Sequence, residues 1–388
     1  MQFTDFKKLD LSRLPSPCFV VDEVAVERNL RILHDVQSRS GGKVLAALKA
    51  FSMWSLAPLT AQYLSGTCAS GLHEAKLGHE QYGGEVHVFA AAFSQADIDE
   101  LLTFAHHIVF NSCGQWLRFR EQCLAMQLQR PELTFGLRIN PEHSEGAVPI
   151  YDPCAPGSRL GIPLSQLDET VLDGISGLHF HTLCEQGFGP LQRTVAAVEQ
   201  KFGHLLPQMQ WINFGGGHHI TVPGYDIEGL IKLIQDFKAK HNVEVYLEPG
   251  EAVAIGTGIL SCEVLDLTFN YLNQGILDTS ATCHMPDTLE MPYRPDITGA
   301  GMPDEKLHTY RLGGLTCLAG DVIGDYSFDA PLAIGQRLIC EDMGHYTMVK
   351  TSTFNGTKLP SLAVWNSETD ALQIVKNFGY QDFKERLS

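Results

Sequence analysis

The feature that most constrains this chain is a rhythm. Between residues 43 and 250, short apolar runs alternate with amphipathic segments of helical period. The runs are KVLAALK (43–49), GTCAS (66–70), EVHVFA (85–90), HIVFN (107–111), LTFGLRIN (133–140), ISGLHFH (175–181), MQWINF (209–214) and VEVYLEPG (243–250). Between most of them lie helical stretches such as SQADIDELLTFA, CGQWLRFREQCLAMQL and YDIEGLIKLIQDFKAKH. Strands alternating with helices make a parallel α/β sheet. Eight such units fit a closed (β/α)8 barrel of the TIM type better than an open sheet.

Earlier in the chain, CFVVD ends in Asp22, a plausible N-cap for the helix carrying Val26, Leu30, Leu33 and Val36. The Pro- and Gly-rich segment 140–174 reads as a long loop between the fifth and sixth strands. From about residue 256 the rhythm changes. ILSCEVLDLTFNYLNQGIL, QRLICED, HYTMVKTSTFNG, SLAVWNS and ALQIVKNF are strand-like, with turn residues between them. The expected organisation is a barrel over 20–255 and a C-terminal β domain, a sandwich or barrel-like sheet, over 256–388, joined by residues 1–19.

Composition narrows the partners. Of 388 residues, 45 are acidic and 28 basic, a formal charge of −17. Such a balance argues against nucleic acid and anionic membranes and suits a cationic ligand. The N-terminus shows no apolar signal core, and no run is long enough to span a bilayer. The ten cysteines are scattered without a CxxC pair, as expected of reduced thiols in a cytoplasm.

In a barrel of this type the active site lies at the C-terminal ends of the strands. Those ends carry Lys49, Arg138, His181, the glycine run Gly215, Gly216 and Gly217, and Glu248. Glycines after the seventh strand suit a phosphate, because bare backbone N–H groups can approach it; a tight turn is the plain alternative. Lys49, closing an apolar strand, is either a solvated strand end or a Schiff-base amine. Beside a phosphate site the economical cofactor is pyridoxal 5′-phosphate, with Glu248 able to keep its pyridine nitrogen protonated. The pair His179 and His181 could serve a metal, but one ring against a cofactor and one structural histidine is the better reading. In the β domain, the turn-rich GGLTCLAGD (313–321) offers Cys317 as a proton donor, or as an inert buried thiol, together with Asp321.

Taken together, ALKA, HFH, GGG and EPG in a barrel, followed by GGLTCLAGD and HYT…STFNG, resemble the fold type III pyridoxal-phosphate decarboxylases. That family includes the ornithine, arginine and diaminopimelate enzymes. The resemblance spans about residues 15 to 385. EPGEA (248–252), GTCASGLHE (66–74) and CHMPDTLEMPYRP (283–295) are most similar to the branch acting on carboxynorspermidine and carboxyspermidine. The resemblance implies that Lys49 forms the Schiff base and that His181 stacks on the ring. It implies that Gly215, Gly216, Gly217 and Tyr346 hold the phosphate, that Glu248 pairs with the pyridine nitrogen, and that Arg138 lies beneath the ring. It also implies a head-to-tail homodimer in which Cys317 protonates the substrate carbon in the other subunit's site, with Asp321 near a substrate amine. Three positions depart from the ornithine enzymes: Thr67 and Leu318 replace aspartates and Glu251 replaces an arginine. Losing the aspartate at 318 counts against a short diamine precursor. The amines of a longer polyamine need acceptors elsewhere, for which Glu251, Asp287, Glu290 and Asp321 are the candidates, Asp321 by its position on the Cys317 loop. A diaminopimelate or ornithine decarboxylase, a racemase of the same fold, or a regulatory homologue without catalysis are the rival readings.

Overall fold

The computed structural model describes residues 4–146 and 148–388; residues 1–3 of the expected joining segment lie outside the described residues. Contacts divide the chain into two units, one of residues 27–253 and one of residues 1–26 with 254–388.

Strand β1 (Cys18–Asp22) belongs to the second unit. The first unit carries β2 (Lys43–Ala47), β3 (Gly66–Ala69), β4 (Glu85–Phe89), β5 (His107–Phe110), β6 (Thr134–Asn140), β7 (Ile162–Pro163), β8 (Ile175–His179), β9 (Trp211–Asn213) and β10 (Glu244–Leu247). Apart from the short β7, which only flanks β6, these pair in parallel as β2-β3-β4-β5-β6-β8-β9-β10. The ring closes through β10 on β2. The eight expected strands are therefore the eight staves of a TIM-type barrel.

The barrel interior is packed rather than hollow. Leu45, Ala47, Cys68, Val109, Trp211 and Tyr246 form one buried cluster. The Trp211 indole crosses the interior because Gly136 and Gly177 leave room: a Cβ there would fall 2.4 and 2.1 Å from its ring. Its Nε1–H donates to Thr134 Oγ1 at 3.0 Å. The outer helices start where the sequence supplies caps. Ser94 and Asp97 make a reciprocal box on helix Gln95–Leu101, and Ser112 and Asp226 cap Cys113–Gln127 and Ile227–His241. Among the described residues no helix is long and apolar enough to cross a membrane.

The second unit is a mixed sheet of β1, β11 (Gly258–Asn270), β12 (Leu272–Leu277), β13 (His308–Gly313), β14 (Val322–Phe328), β15 (Arg337–Cys340), β16 (Ser361–Trp365) and β17 (Leu372–Lys376). Its order is β14-β13-β12-β11-β1-β16-β17, with β15 also on β11. The N-terminal β1 thus lies between β11, antiparallel, and β16, parallel. All five of its residues are buried. Cys18 and Val20 pack with Phe6, Leu9, Ile259, Ala363 and Trp365. Asp22 accepts the Val24 N–H at 3.2 Å, in keeping with its expected capping role. The segment HYTMVKTSTFNG, expected as strand, is instead a run of turns ending in a 3-10 turn at Phe354–Gly356, with Tyr346 and Asn355 at positive φ.

Candidate active site

Parallel strands carry their C-terminal ends to one mouth of the barrel, and the chemically capable side chains collect there. Lys49 sits in the turn just after β2, half-buried. The turn is packed tightly: a Cβ on Gly250 would lie 2.7 Å from Ala50 Cβ. Among the described residues no hydrogen bond or ion pair holds the Lys49 ammonium. Its charge nevertheless acts on Cys68, Glu74, His179, His181 and Cys184, so these groups share its surroundings.

Glu248 follows β10 directly. Asn213, the last residue of β9, donates to its Oε1 at 2.7 Å, and His179, the last of β8, meets Oε2 at 3.2 Å. Burial pushes the Glu248 carboxyl up, but His179 and the Asn213 amide outweigh it and bring it down to about 2. Burial pushes His179 down despite the neighbouring Glu248. Glu248 is therefore an anion at neutral pH, facing a neutral imidazole that donates Nε2–H and leaves a buried Nδ1 without a partner among the described residues.

His181 lies two residues past β8. Burial, then the charges of Lys49 and Arg138, push its pKa well below the usual imidazole range. Its Nδ1 accepts the Gly216 N–H at 2.9 Å, which puts the ring proton on Nε2. The buried Arg138, on β6, donates to the His181 carbonyl at 3.0 Å and lies 4.5 Å over the Phe89 ring. Burial lowers the guanidinium only to about 10, so it stays charged.

The glycine run answers first to the protein's own backbone. A Cβ on Gly216 would fall 2.0 Å from the Glu248 carbonyl, and one on Gly217, at φ +83°, 1.9 Å from that of Leu183. Gly215 N–H donates to Asn213 Oδ1 at 2.8 Å. With Gly216 engaged by His181, the Gly217 N–H is the one for which the described residues provide no acceptor. Glu251, opening the short helix Glu251–Ala254, pairs with His219 at 3.2 Å.

The remaining expected residues lie in the other unit. Cys317 is on the loop between β13 and β14 and is the exposed one among the ten cysteines, all of which are free. Tyr346 has its backbone in the left-handed region, with φ +45°. Asp287 and Glu290 are not open acceptors: Lys350 pairs with both, at 2.7 Å from Glu290. Asp321 is buried and takes hydrogen bonds from Ser280, Thr282 and Thr316.

Three residues of the barrel mouth escape a reading of the sequence. Asn213 left a trace, a lone amide closing an apolar strand just ahead of the glycines. Glu74, raised by burial, and Cys68, whose thiol burial and Glu248 push well up, read as helix surface and core. His179 and His181 do not belong to a three-ligand cluster among the described residues. Among the described residues the group able to hold an ion is Glu85, His87 and His107, at the opposite ends of β4 and β5. There Glu85 already accepts from Lys43, from His87 at 2.9 Å and from Tyr246 at 3.1 Å.

An amine, a largely enclosed carboxylate anion, a neutral imidazole and an open N–H at a glycine turn form a donor set that fits pyridoxal phosphate. The family model described as pyridoxal-dependent decarboxylase, C-terminal sheet domain, matches residues 18–344, and the chain belongs to that family of pyridoxal-dependent decarboxylases. More particularly, the chain is 44% identical to carboxyaminopropylagmatine decarboxylase of Synechocystis sp., over 97% of this chain and 96% of that one. It is 41% identical to carboxynorspermidine/carboxyspermidine decarboxylase of Campylobacter jejuni, over 96% and 99%. The crystal structure of carboxynorspermidine decarboxylase complexed with norspermidine from C. jejuni superposes with a TM-score of 0.88 at 40% identity, covering 96% of this chain and all of that one. Diaminopimelate decarboxylase from Helicobacter pylori shares the fold, with a TM-score of 0.77 at 16% identity.

Proposed function

We propose that this chain is a pyridoxal 5′-phosphate-dependent carboxy-lyase that decarboxylates carboxynorspermidine or carboxyspermidine to norspermidine or spermidine. The observation that carries the reaction class is the ionised, largely enclosed Glu248, set by His179 and Asn213 beside the half-buried Lys49. The substrate class rests on the full-length similarity to polyamine-forming decarboxylases.

Lys49 would hold the cofactor through Nζ. The Gly217 N–H, the turn at Gly215 and Gly216, and Tyr346 would hold its phosphate. When bound, pyridoxal phosphate supplies a sink for the electron pair left as the Cα–carboxylate bond breaks. Glu248, anionic at neutral pH, keeps a proton on the ring nitrogen. His181, neutral and fixed by Gly216 N–H and by Arg138 on its carbonyl, presents a flat apolar face to the ring. Cys317 Sγ holds the proton that the substrate carbon takes up, and we assign that thiol to the partner subunit's site in a homodimer. Of the four carboxylates expected to meet substrate amines, Glu251 is best suited by position, three residues after Glu248 at the end of the last barrel strand, where it pairs with His219. Asp287 and Glu290 would have to give up Lys350. Ten free thiols support a cytoplasmic setting.

A second reading has its own support. The 44% identical relative is named for carboxyaminopropylagmatine, whose agmatine part ends in a guanidine rather than an amine. Incubation of the purified, cofactor-loaded protein with each substrate, with mass identification of the product, tests the proposal. Norspermidine or spermidine with loss of CO2 is expected. Loss of CO2 from the agmatine conjugate alone would move the assignment to the second reading, and no CO2 from any of them would overturn both.

A further inference from the structure

The Cys317 loop is bound on two sides by a connected set of hydrogen bonds that the reaction outlined above does not by itself require. Asp321, 4% exposed, closes the loop before β14. Its Oδ2 accepts from Thr316 Oγ1 at 2.6 Å and Thr316 N–H at 3.2 Å. Its Oδ1 accepts the Thr282 N–H at 3.2 Å. The Ser280 hydroxyl donates to the carboxylate, 2.9 and 3.0 Å from the two oxygens, and itself accepts the Cys283 N–H at 3.1 Å. Cys283 Sγ lies 3.5 Å from the Phe354 carbonyl. The next residue, Asn355, accepts the Cys317 N–H on Oδ1 at 2.9 Å. The chain of contacts therefore starts at Thr316 and returns to its neighbour Cys317. Asn355 takes a left-handed backbone, φ +59°, which asparagine tolerates better than most residues. At the loop's start a Cβ on Gly314 would stand 2.4 Å from Asp321 Oδ2, so the carboxylate also occupies space that only glycine leaves open.

A carboxylate so enclosed, with both oxygens engaged, is poorly placed to receive a substrate amine, and removing one of its hydrogen bonds exposes a buried charge. We infer that Asp321 and Asn355 are positioning residues that hold Cys317 from either side, Asp321 through Thr316 and Asn355 through the Cys317 N–H. This rests on Cys317 as the proton donor, and it takes Asp321 away from substrate recognition. A thiol that must deliver a proton to one carbon gains from a fixed approach, since small misplacements cost rate rather than affinity.

The test uses the full-length, cofactor-loaded enzyme with Asp321→Asn, Asn355→Ala, Asn355→Asp and Cys317→Ser. Two quantities are read: kcat and KM for carboxynorspermidine, and the rate of iodoacetamide labelling at Cys317 without substrate, followed on its peptide by mass spectrometry. Asp321→Asn and Asn355→Ala should lower kcat about tenfold or more and leave KM within about twofold. Both should speed Cys317 labelling severalfold, and Asn355→Asp, which keeps the acceptor oxygen, should restore most of both. A raised KM with unchanged kcat in Asp321→Asn would return that residue to substrate binding and overturn the inference. So would unchanged labelling in both Asp321→Asn and Asn355→Ala. Full activity in Cys317→Ser would instead overturn the proton-donor reading, while the labelling still decides whether the clamp exists.

Discussion

The imidazole of His179 stands 3.2 Å from the Glu248 carboxylate, joining the ends of β8 and β10 across the intervening β9, whose Asn213 completes the set at 2.7 Å. This pairing holds a largely enclosed carboxylate ionised against the upward push of its partial burial. The chemistry proposed for the barrel depends on that charge.

Glu248→Gln, which keeps the shape and removes the charge, should cut kcat by about 10²-fold or more. His179→Ala should cost less, about tenfold, because Asn213 remains. Steady-state CO2 release with saturating cofactor measures both, and equal losses would contradict this ranking.

The same charge links stability to pH. Glu248 titrates at about 2 in the fold against an ordinary 4.5. A carboxyl depressed on folding contributes stability that is fully present above its unfolded value and lost as pH falls through its folded value. The window is therefore pH 4.5 down to about 2, and the full contribution is on the order of 3 kcal/mol. Glu85, held down to about 2 by His87 and Lys43 against its burial, titrates over the same range. Urea melts of the wild type and of Asn213→Ala should separate the two: the Asn213→Ala acid limb moves to higher pH, and an unchanged limb would assign the effect to Glu85.

Gly217→Ala places a methyl 1.9 Å from the Leu183 carbonyl in a left-handed backbone. Strain of about 1–3 kcal/mol follows. Absorbance titration should show pyridoxal phosphate binding weakened by about tenfold or more, and wild-type affinity would remove the glycine turn from the phosphate site.

Glu251→Gln should raise KM for carboxylated polyamines by about tenfold with kcat little changed, as expected for a lost charge-assisted contact. Asp287→Asn should do less, since Lys350 already neutralises that carboxylate. Initial-rate kinetics decide the order.

The barrel was largely legible because each of its strands is a local event, an apolar run closed by a turn and followed by an amphipathic helix. The strand ends could be read for the same reason, and Lys49, Arg138, His181, Glu248 and the glycines do share one mouth. What was hidden is pairing over long distances in the chain. CFVVD gives no sign that it will lie between β11 and β16, the latter more than three hundred residues downstream. HYTMVKTSTFNG has strand composition, yet its turns at Tyr346 and Asn355 are fixed by tertiary contacts such as Asn355 on Cys317. The segments of β13 and β14, which frame the Cys317 loop, are harder to read as strands because Arg311 and Gly313 break up HTYRLG, and Gly324 and Asp325 interrupt VIGDYSF in its middle. For Asp321 a sequence shows the position of a carboxylate but not that Ser280, Thr282 and Thr316 donate to it.

The most direct test of the central claim is CO2 release by the purified, cofactor-loaded protein from carboxynorspermidine, carboxyspermidine, carboxyaminopropylagmatine, diaminopimelate and ornithine, compared as kcat/KM. The account predicts highest values for carboxynorspermidine or carboxyspermidine and values lower by orders of magnitude for ornithine and diaminopimelate. A preference for ornithine or diaminopimelate would contradict it.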